Sequence, residues 1–182
     1  MTEVQVPNQA VNIIDYTITE EEGGYVITHN PNDPDGGWTY AGIIKENWVK
    51  YYPETDVGFS AISALVLANT DLYQTWSHVI YYNEFYLPVQ KILGTIFDVD
   101  QEEFSCAVNI GLGGFEQVCQ LSGPLHGKLT FLEEWLHYYA ELVRKNAEAW
   151  KAYALREPGA TQPETLRAEF LAGWISRVTK FF

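Results

Sequence analysis

Apolar residues recur every three or four positions in the first part of the chain. Val11, Ile14 and Ile18 keep this spacing, which places them on one face of a helix. Glu22 is the next step of the same stripe. The pattern predicts an amphipathic helix over residues 9–22 whose last core-facing position is a carboxylate.

Helical periodicity continues through most of the chain, after a loop with short extended pieces over residues 23–44. Further helices are predicted over residues 57–69, 71–86 and 87–98, and over 101–110 and 114–121, which a run of glycines separates. Thr130 and Glu133 have the spacing of a capping box, which predicts a long helix that continues to about Tyr153. A last helix is predicted from Thr161, beyond a Pro/Gly linker. The fold is therefore predicted to be all-α, with a small lobe of loops or short strands.

Composition and charge narrow the class of protein. The 182 residues, 47% of them hydrophobic, fit one domain or two small lobes that share a core. The net charge is −13, and residues 1–127 contain three Lys and no Arg against seventeen acidic residues. Nucleic acid binding needs a basic surface, so this balance argues against it. The chain shows neither a bilayer-spanning apolar run nor a cationic leader, which predicts cytoplasmic synthesis without a signal peptide and no stable membrane insertion.

The end of the first helix carries the candidate chemistry. Burial raises the pKa of a carboxyl group towards the range of a general acid. Gly23 is suited to the left-handed conformation that ends a helix, and the loop beyond it brings two more carboxylates, Asp33 and Asp35. A buried acid and a second carboxylate are the minimum for glycoside hydrolysis. We therefore predict Glu22 as the acid, and Asp33 or Asp35 as the group that positions water or stabilises charge.

The same region supplies further candidates. Thr39 is predicted to hydrogen-bond the water or a carboxylate. The aromatic residues Tyr25, Trp38 and Tyr40 are predicted to form cleft walls on which sugar rings stack. The alternative for Glu22 is a solvated helix end, and for the two aspartates it is turn formation.

Other chemistries lack their motifs. The four histidines include no His-Glu-x-x-His and no pair four residues apart, so no metal site is predicted. No Gly-x-Ser-x-Gly marks a serine nucleophile, and no phosphate-binding loop follows a strand. We expect no cofactor.

Several segments also form a recognisable set: Glu22–Tyr25, Asn30–Asp35, Gly36–Thr39, Tyr40–Ile43, Ile80–Pro88, Ala107–Gly111 and Phe170–Val178. In combination they resemble glycoside hydrolase family 108 over most of the chain. Glu22 matches the proposed catalytic acid of that family. Asp35 departs from its pattern, because the family has Asp-Pro directly before Gly-Gly. It therefore stays open whether Asp33 or Asp35 takes the place of the second carboxylate.

The resemblance implies an N-acetylmuramidase of phage type with a lysozyme-like fold. Such an enzyme cuts the β-1,4 bond between N-acetylmuramic acid and N-acetylglucosamine in the peptidoglycan glycan strand. The resemblance further implies a catalytic region at 1–98 and a helical peptidoglycan-binding region at 99–182, packed as one compact unit. We expect a monomeric endolysin that lyses the host and reaches the cell wall through a holin-type pore. The alternative is a structural or wall-binding phage protein that keeps the fold without catalysis.

Overall fold

A computed structural model of the protein describes residues 5–29, 37–94, 99–123, 127–145 and 172–182. Its helices are α1 (Asn8–Glu20), α2 (Lys45–Tyr51), α3 (Phe59–Ala68), α4 (Thr70–Tyr81), α5 (Leu87–Leu93), α6 (Gln101–Ser122) and α7 (Lys128–Lys145), followed by a helical stretch over 172–179. Three short strands are β1 (Ile27–His29), β2 (Trp38–Tyr40) and β3 (Ile43–Ile44). The predicted mainly helical fold with a small strand-containing lobe is confirmed.

The chain divides into two compact units, Met1–Ser105 and Cys106–Phe182. The assignment of catalysis to 1–98 and of wall binding to 99–182 stays a prediction. Within the described residues, every helix is too short or too polar to cross a membrane.

Helix α1 forms where the apolar stripe predicted it. Ala10, Ile14 and Ile18 are fully buried, while Val11 is only half-buried. The predicted extent to residue 22 is wrong, because the regular helix ends at Glu20. Glu22 therefore lies in the turn that leaves the helix, where its backbone can turn towards the small sheet.

The three strands form one antiparallel sheet in the order β1-β2-β3. Side chains alternate along β2, so Trp38 and Tyr40 enter the core while Thr39 lies on the opposite face. Trp48 of α2 is fully buried behind the sheet, and its ring centroid lies 5.8 Å from that of Tyr40. The sequence did not predict α2, whose single buried residue gives too weak a periodicity. This aromatic cluster anchors the sheet to the helices of the first unit.

The predicted helix over residues 71–86 is made of two parts. Helix α4 ends at Tyr81, and the chain continues through a π-helical turn, Tyr82–Tyr86, directly into α5. A π turn inserts one extra residue per turn and redirects the side chains that follow it. Pro88 lies in the first turn of α5, where the missing N–H leaves no hydrogen bond unmade.

Two predicted features beyond residue 100 can be compared with the structure. The predicted break at the glycine run is present, because the backbone of Gly111 is non-helical, with a φ of 74° and a ψ of 163°. Helix α6 therefore consists of two helical segments that meet at a kink. Helix α7 begins at Lys128, two residues before the predicted capping position Thr130, so the capping-box prediction is wrong. Phe131 and Trp135, four residues apart on α7, form its buried face and are 1% and 0% exposed. The predicted linker, the predicted start of the last helix at Thr161 and the predicted continuation of the long helix to Tyr153 lie outside the described residues.

Candidate active site

The turn after α1 is set by backbone hydrogen bonds. The N–H groups of Glu21 and Glu22 both donate to the carbonyl of Thr17, at 3.0 and 3.1 Å. The N–H of Gly24 donates to the carbonyl of Ile18 at 2.8 Å. Gly23 has a φ of 82°, as predicted for the residue that ends the helix. The backbone of Glu22 is therefore tied to the last turn of α1.

A tight hairpin turn between β2 and β3 lies against this segment. Tyr40 and Ile43 pair across it, and the two residues between them, Ala41 and Gly42, have φ values of 53° and 74°. Two successive positive φ angles are the mark of a type I′ turn. Alanine is uncommon in that conformation. The buried hydroxyl of Tyr81 donates to the carbonyl of Ala41 at 3.0 Å and so helps to hold the turn.

Gly42 touches the side chain of Glu22. A Cβ atom built on Gly42 would lie 2.8 Å from Oε2 of Glu22 and 2.9 Å from its Cβ and Cγ. Distances under 3.0 Å are essentially never seen for real Cβ atoms. Glycine therefore makes room for the carboxylate, and the turn forms one wall of its site.

Tyr81 forms a second neighbour of this carboxylate. Burial raises the pKa of Tyr81, and the negative charge of Glu22 raises that pKa further, ahead of smaller effects from Tyr25 and Glu21. Tyr81 therefore remains a neutral phenol next to Glu22 at any physiological pH. Glu22 itself is partly exposed, as a group that must reach a substrate has to be.

The side chain of Glu21, the residue before Glu22, makes different contacts from those of Glu22. The Ser105 hydroxyl, which is fully buried, donates to Oε1 of Glu21 at 2.6 Å. The amide of Gln101 donates to Thr17 Oγ1 at 2.8 Å beside it. This polar group ties the end of α1 to the start of α6. The structure thus gives the two adjacent glutamates different surroundings, in agreement with the choice of Glu22 from the apolar stripe.

Tyr25 lies close to the candidate acid, but its hydroxyl is engaged. It donates to Oδ1 of Asp15 on α1 and lies 2.8 Å from Nε2 of His78 on α4. Its ring centroid is 6.2 Å from that of Tyr40. Because the hydroxyl is engaged, only the ring of Tyr25 remains for the predicted contact with a sugar. Sequence reasoning missed Asp15 and His78, because nothing in the local pattern of either helix links them to this turn.

The other predicted site residues fall into three groups. Trp38 and Tyr40 are each 1% exposed, so their rings serve the core, and this burial does not fit the predicted cleft walls. Thr39 is half-buried on the opposite face of β2, where its hydroxyl oxygen lies 2.5 Å from that of Thr28. Asp33 and Asp35 lie outside the described residues.

The pairing of β1 with β2 fixes which residues lie at each end of this part of the sheet. His29 pairs with Trp38 at one end of the β1–β2 ladder, and Ile27 pairs with Tyr40 at the other. Gly42, which contacts Glu22, comes two residues after Tyr40 in the chain and therefore lies near that end of the ladder. His29 and Trp38 lie at the opposite end of the ladder, two residues or roughly 7 Å from the Ile27–Tyr40 pair at the usual rise per residue of a strand.

The fold and site thus define a helical protein in which one accessible carboxylate lies between a helix end and a β-hairpin. Comparison with protein families gives a match to Glycosyl hydrolase 108 over residues 16–111. The chain belongs to this family and is a glycoside hydrolase. The matched range contains Glu22, the hairpin turn and Tyr81. Neither the curated proteins nor the solved structures gave a match.

Proposed function

We propose that this glycoside hydrolase is an N-acetylmuramidase that cuts the β-1,4 bond between N-acetylmuramic acid and N-acetylglucosamine in peptidoglycan. The observation that carries the proposal is the placement of Glu22. It is a partly exposed carboxylate held against Gly42 and beside the neutral phenol of Tyr81, within the range that matches the hydrolase family.

In this mechanism Glu22 acts as the general acid. Its protonated carboxyl group delivers the proton to the glycosidic oxygen as the bond breaks, and an oxocarbenium-like centre develops on the sugar. The second carboxylate, Asp33 or Asp35, positions the attacking water or stabilises that centre. Thr39 is proposed to assist it by a hydrogen bond.

The biological role we propose is that of a phage-type endolysin. The protein is made in the bacterial cytoplasm, passes a holin-type pore and acts as a monomer on the cell wall, with 99–182 contributing to peptidoglycan binding. Its acidic charge, −13 overall, means that attachment to an anionic wall rests on specific contacts and not on bulk electrostatic attraction.

The test compares the wild type with Glu22→Gln on purified peptidoglycan, with products identified by mass spectrometry. We expect muropeptides with reducing N-acetylmuramic acid ends from the wild type and none from the variant. Glu20→Gln is the matched control, because Glu20 lies exposed at the end of α1 and should leave the activity unchanged.

Each other outcome has a definite meaning. Reducing N-acetylglucosamine ends would keep the hydrolase and change the bond. Equal product from wild type and Glu22→Gln would remove Glu22 from its proposed role. A folded wild type that binds peptidoglycan without releasing any product would favour the wall-binding alternative.

A further inference from the structure

Three polar side chains from separate parts of the first unit meet next to the turn after α1. The Tyr25 hydroxyl contacts both Oδ1 of Asp15 and Nε2 of His78, and Nε2 of His78 lies 2.8 Å from Oδ1 of Asp15. The three groups therefore form a closed triangle of hydrogen bonds. The Asp15 side chain is 42% exposed and the His78 side chain 16% exposed, so the cluster is screened from solvent mainly on the histidine side.

The protons of this triangle can be assigned from the chemistry of its members. An ionised carboxylate only accepts hydrogen bonds. Both contacts to Asp15 therefore require a donor, which means that the Tyr25 hydroxyl and Nε2–H of His78 each donate to it. The Tyr25 oxygen then accepts a second branch of the same Nε2–H hydrogen bond, at 2.8 Å. This arrangement sets the tautomer of His78. Burial raises the pKa of Tyr25, and the hydrogen bond to Asp15 and its charge raise it further, so Tyr25 keeps its proton.

The position of this triangle in the chain gives it a consequence for Glu22. Tyr25 is separated from Glu22 only by Gly23 and Gly24, whose φ values are 82° and 89°. A Cβ on either glycine would meet no atom within 4 Å. There is thus open space on the side of each glycine where a side chain would lie, and no side chain of their own anchors these two residues. Two backbone hydrogen bonds hold Gly24, from its N–H to the carbonyl of Ile18 and from the N–H of Val26 to its carbonyl, at 2.8 and 2.9 Å. The side chain of Tyr25 adds the next anchor after the two glycines.

We propose that Asp15 and His78 are positioning residues for the candidate acid Glu22, and that they act on it through the side chain of Tyr25. The two residues fix the Tyr25 ring, the ring fixes the end of the two-glycine segment, and the segment fixes the direction of the carboxylate. The inference rests on the proposed catalytic role of Glu22. It adds two residues on α1 and α4 that touch no substrate.

The test uses soluble glycan strands, freed of their peptides, so that kcat and KM are measured separately. The variants are Tyr25→Phe, which removes one oxygen, and His78→Leu, which removes the ring nitrogens. We expect kcat to fall about ten- to a hundredfold in each, because small misplacements of a catalytic group have effects of this size. KM should stay within about twofold, because the substrate contacts are kept.

Two further variants separate positioning from general damage. The side-chain amide of His78→Gln can donate from a place close to Nε2, so we expect it to recover most of the lost kcat. Because all members act through one network, Tyr25→Phe/His78→Leu should be no slower than the slower single variant. Tyr16→Phe is the matched control, since Tyr16 is an exposed tyrosine of α1. Near-ultraviolet circular dichroism checks that each variant is folded.

The outcomes distinguish this inference from the proposed function. Wild-type kcat in folded Tyr25→Phe and His78→Leu, with Glu22→Gln inactive, would overturn the positioning role and leave the hydrolase intact. A wild type that releases no product, or an active Glu22→Gln, would overturn both. If His78→Leu does not fold, the kcat values of Tyr25→Phe and His78→Gln decide whether the positioning role holds. A nitrogen-15 spectrum of His78 gives an independent check, and a proton on Nδ1 and none on Nε2 would contradict the triangle.

Discussion

Gly42 and Glu22 are in van der Waals contact, although they lie twenty positions apart in the sequence. The Cα of Gly42 faces the Glu22 side chain so closely that a Cβ would lie 2.8 Å from Oε2. The backbone of a hairpin turn therefore forms part of the carboxylate site.

Gly42→Ala should reduce hydrolytic activity by at least about tenfold, because the new methyl group must displace Glu22 or the turn. The variant should also lose about 1–2 kcal/mol of unfolding free energy, since alanine is strained at a φ of 74°. Activity and chemical denaturation measure the two effects. Gly94→Ala is the matched control, because Gly94 has a φ of 64° and open space around it. It should lose stability and keep activity; equal loss of activity in both variants would contradict the contact argument.

Tyr81→Phe should destabilise the protein by about 1–3 kcal/mol, because it leaves the carbonyl of Ala41 without its 3.0 Å donor in a buried place. Activity should fall as well, since the freed turn carries Gly42. Thermal unfolding and the rate on peptidoglycan are the measurements. Tyr82→Phe, on a partly exposed neighbour, serves as control. Unchanged stability of Tyr81→Phe would show that the Ala41 carbonyl finds another donor.

Glu84 should contribute to stability at neutral pH and lose this contribution in acid. Burial alone would raise its pKa, but hydrogen bonds from Lys50 and Tyr51, at 2.5 and 2.6 Å, outweigh burial and lower it. A pKa that is lower in the folded state gives stability above the unfolded value of 4.5, and that stability disappears as the pH falls through the folded value.

The corresponding experiment compares the unfolding free energies of wild type and Glu84→Gln from pH 7 to pH 2. Lys50 is 60% exposed, so solvent weakens the pair and we expect a difference of only about 0.5–1 kcal/mol at pH 7. The difference should shrink towards zero at the acid end. Glu46→Gln, on the exposed side of α2, should show no such trend. A difference that grows on acidification would have the wrong sign for this explanation.

Asn109 and Arg177 should be coupled in the stability of the second unit. Nη1 of Arg177 donates to Oδ1 of Asn109 at 2.5 Å and joins the helix over 172–179 to α6, two residues before the kink at Gly111. Asn109→Leu should cost about 1–3 kcal/mol, because it removes the acceptor of a charged donor. Asn109→Asp should keep the bond and the stability. Thermal unfolding measures the stability of both variants. If Asn109→Asp lost as much stability as Asn109→Leu, the bond to Arg177 would not be what Asn109 contributes.

Much of the fold could be predicted from the sequence, because a helix with one buried face has apolar residues at a regular spacing of three to four positions. Ile14 and Ile18 lie four residues apart on α1 and are both fully buried, as their spacing predicts. The same reasoning fails for short elements. Helix α2 has seven residues and one buried side chain, Trp48, and so leaves almost no periodic signal. The capping-box spacing at Thr130 was misleading, because that residue lies inside α7.

The candidate acid was predictable for a similar reason. Glu22 continues the α1 stripe and is followed by glycines that must leave the helix, so its special position can be read within one short segment. Trp38 and Tyr40 show the limit of such reading. An aromatic residue in a loop-like segment suits a sugar-binding wall and a core equally well, and only the pairing of β2 between β1 and β3 directs both rings inwards.

The sequence by itself determined the mainly helical class, the end of the first helix near Gly23 and the choice of Glu22 as the candidate acid. Each depends on residues that are neighbours along the chain, where spacing and backbone preference act directly. Only the tertiary structure decided that Gly42 and Tyr81 surround Glu22, that Glu21 is turned to Ser105, and that Asp15 and His78 hold Tyr25. These contacts join residues 10 to 84 positions apart, and chain folding sets such distances while local sequence does not.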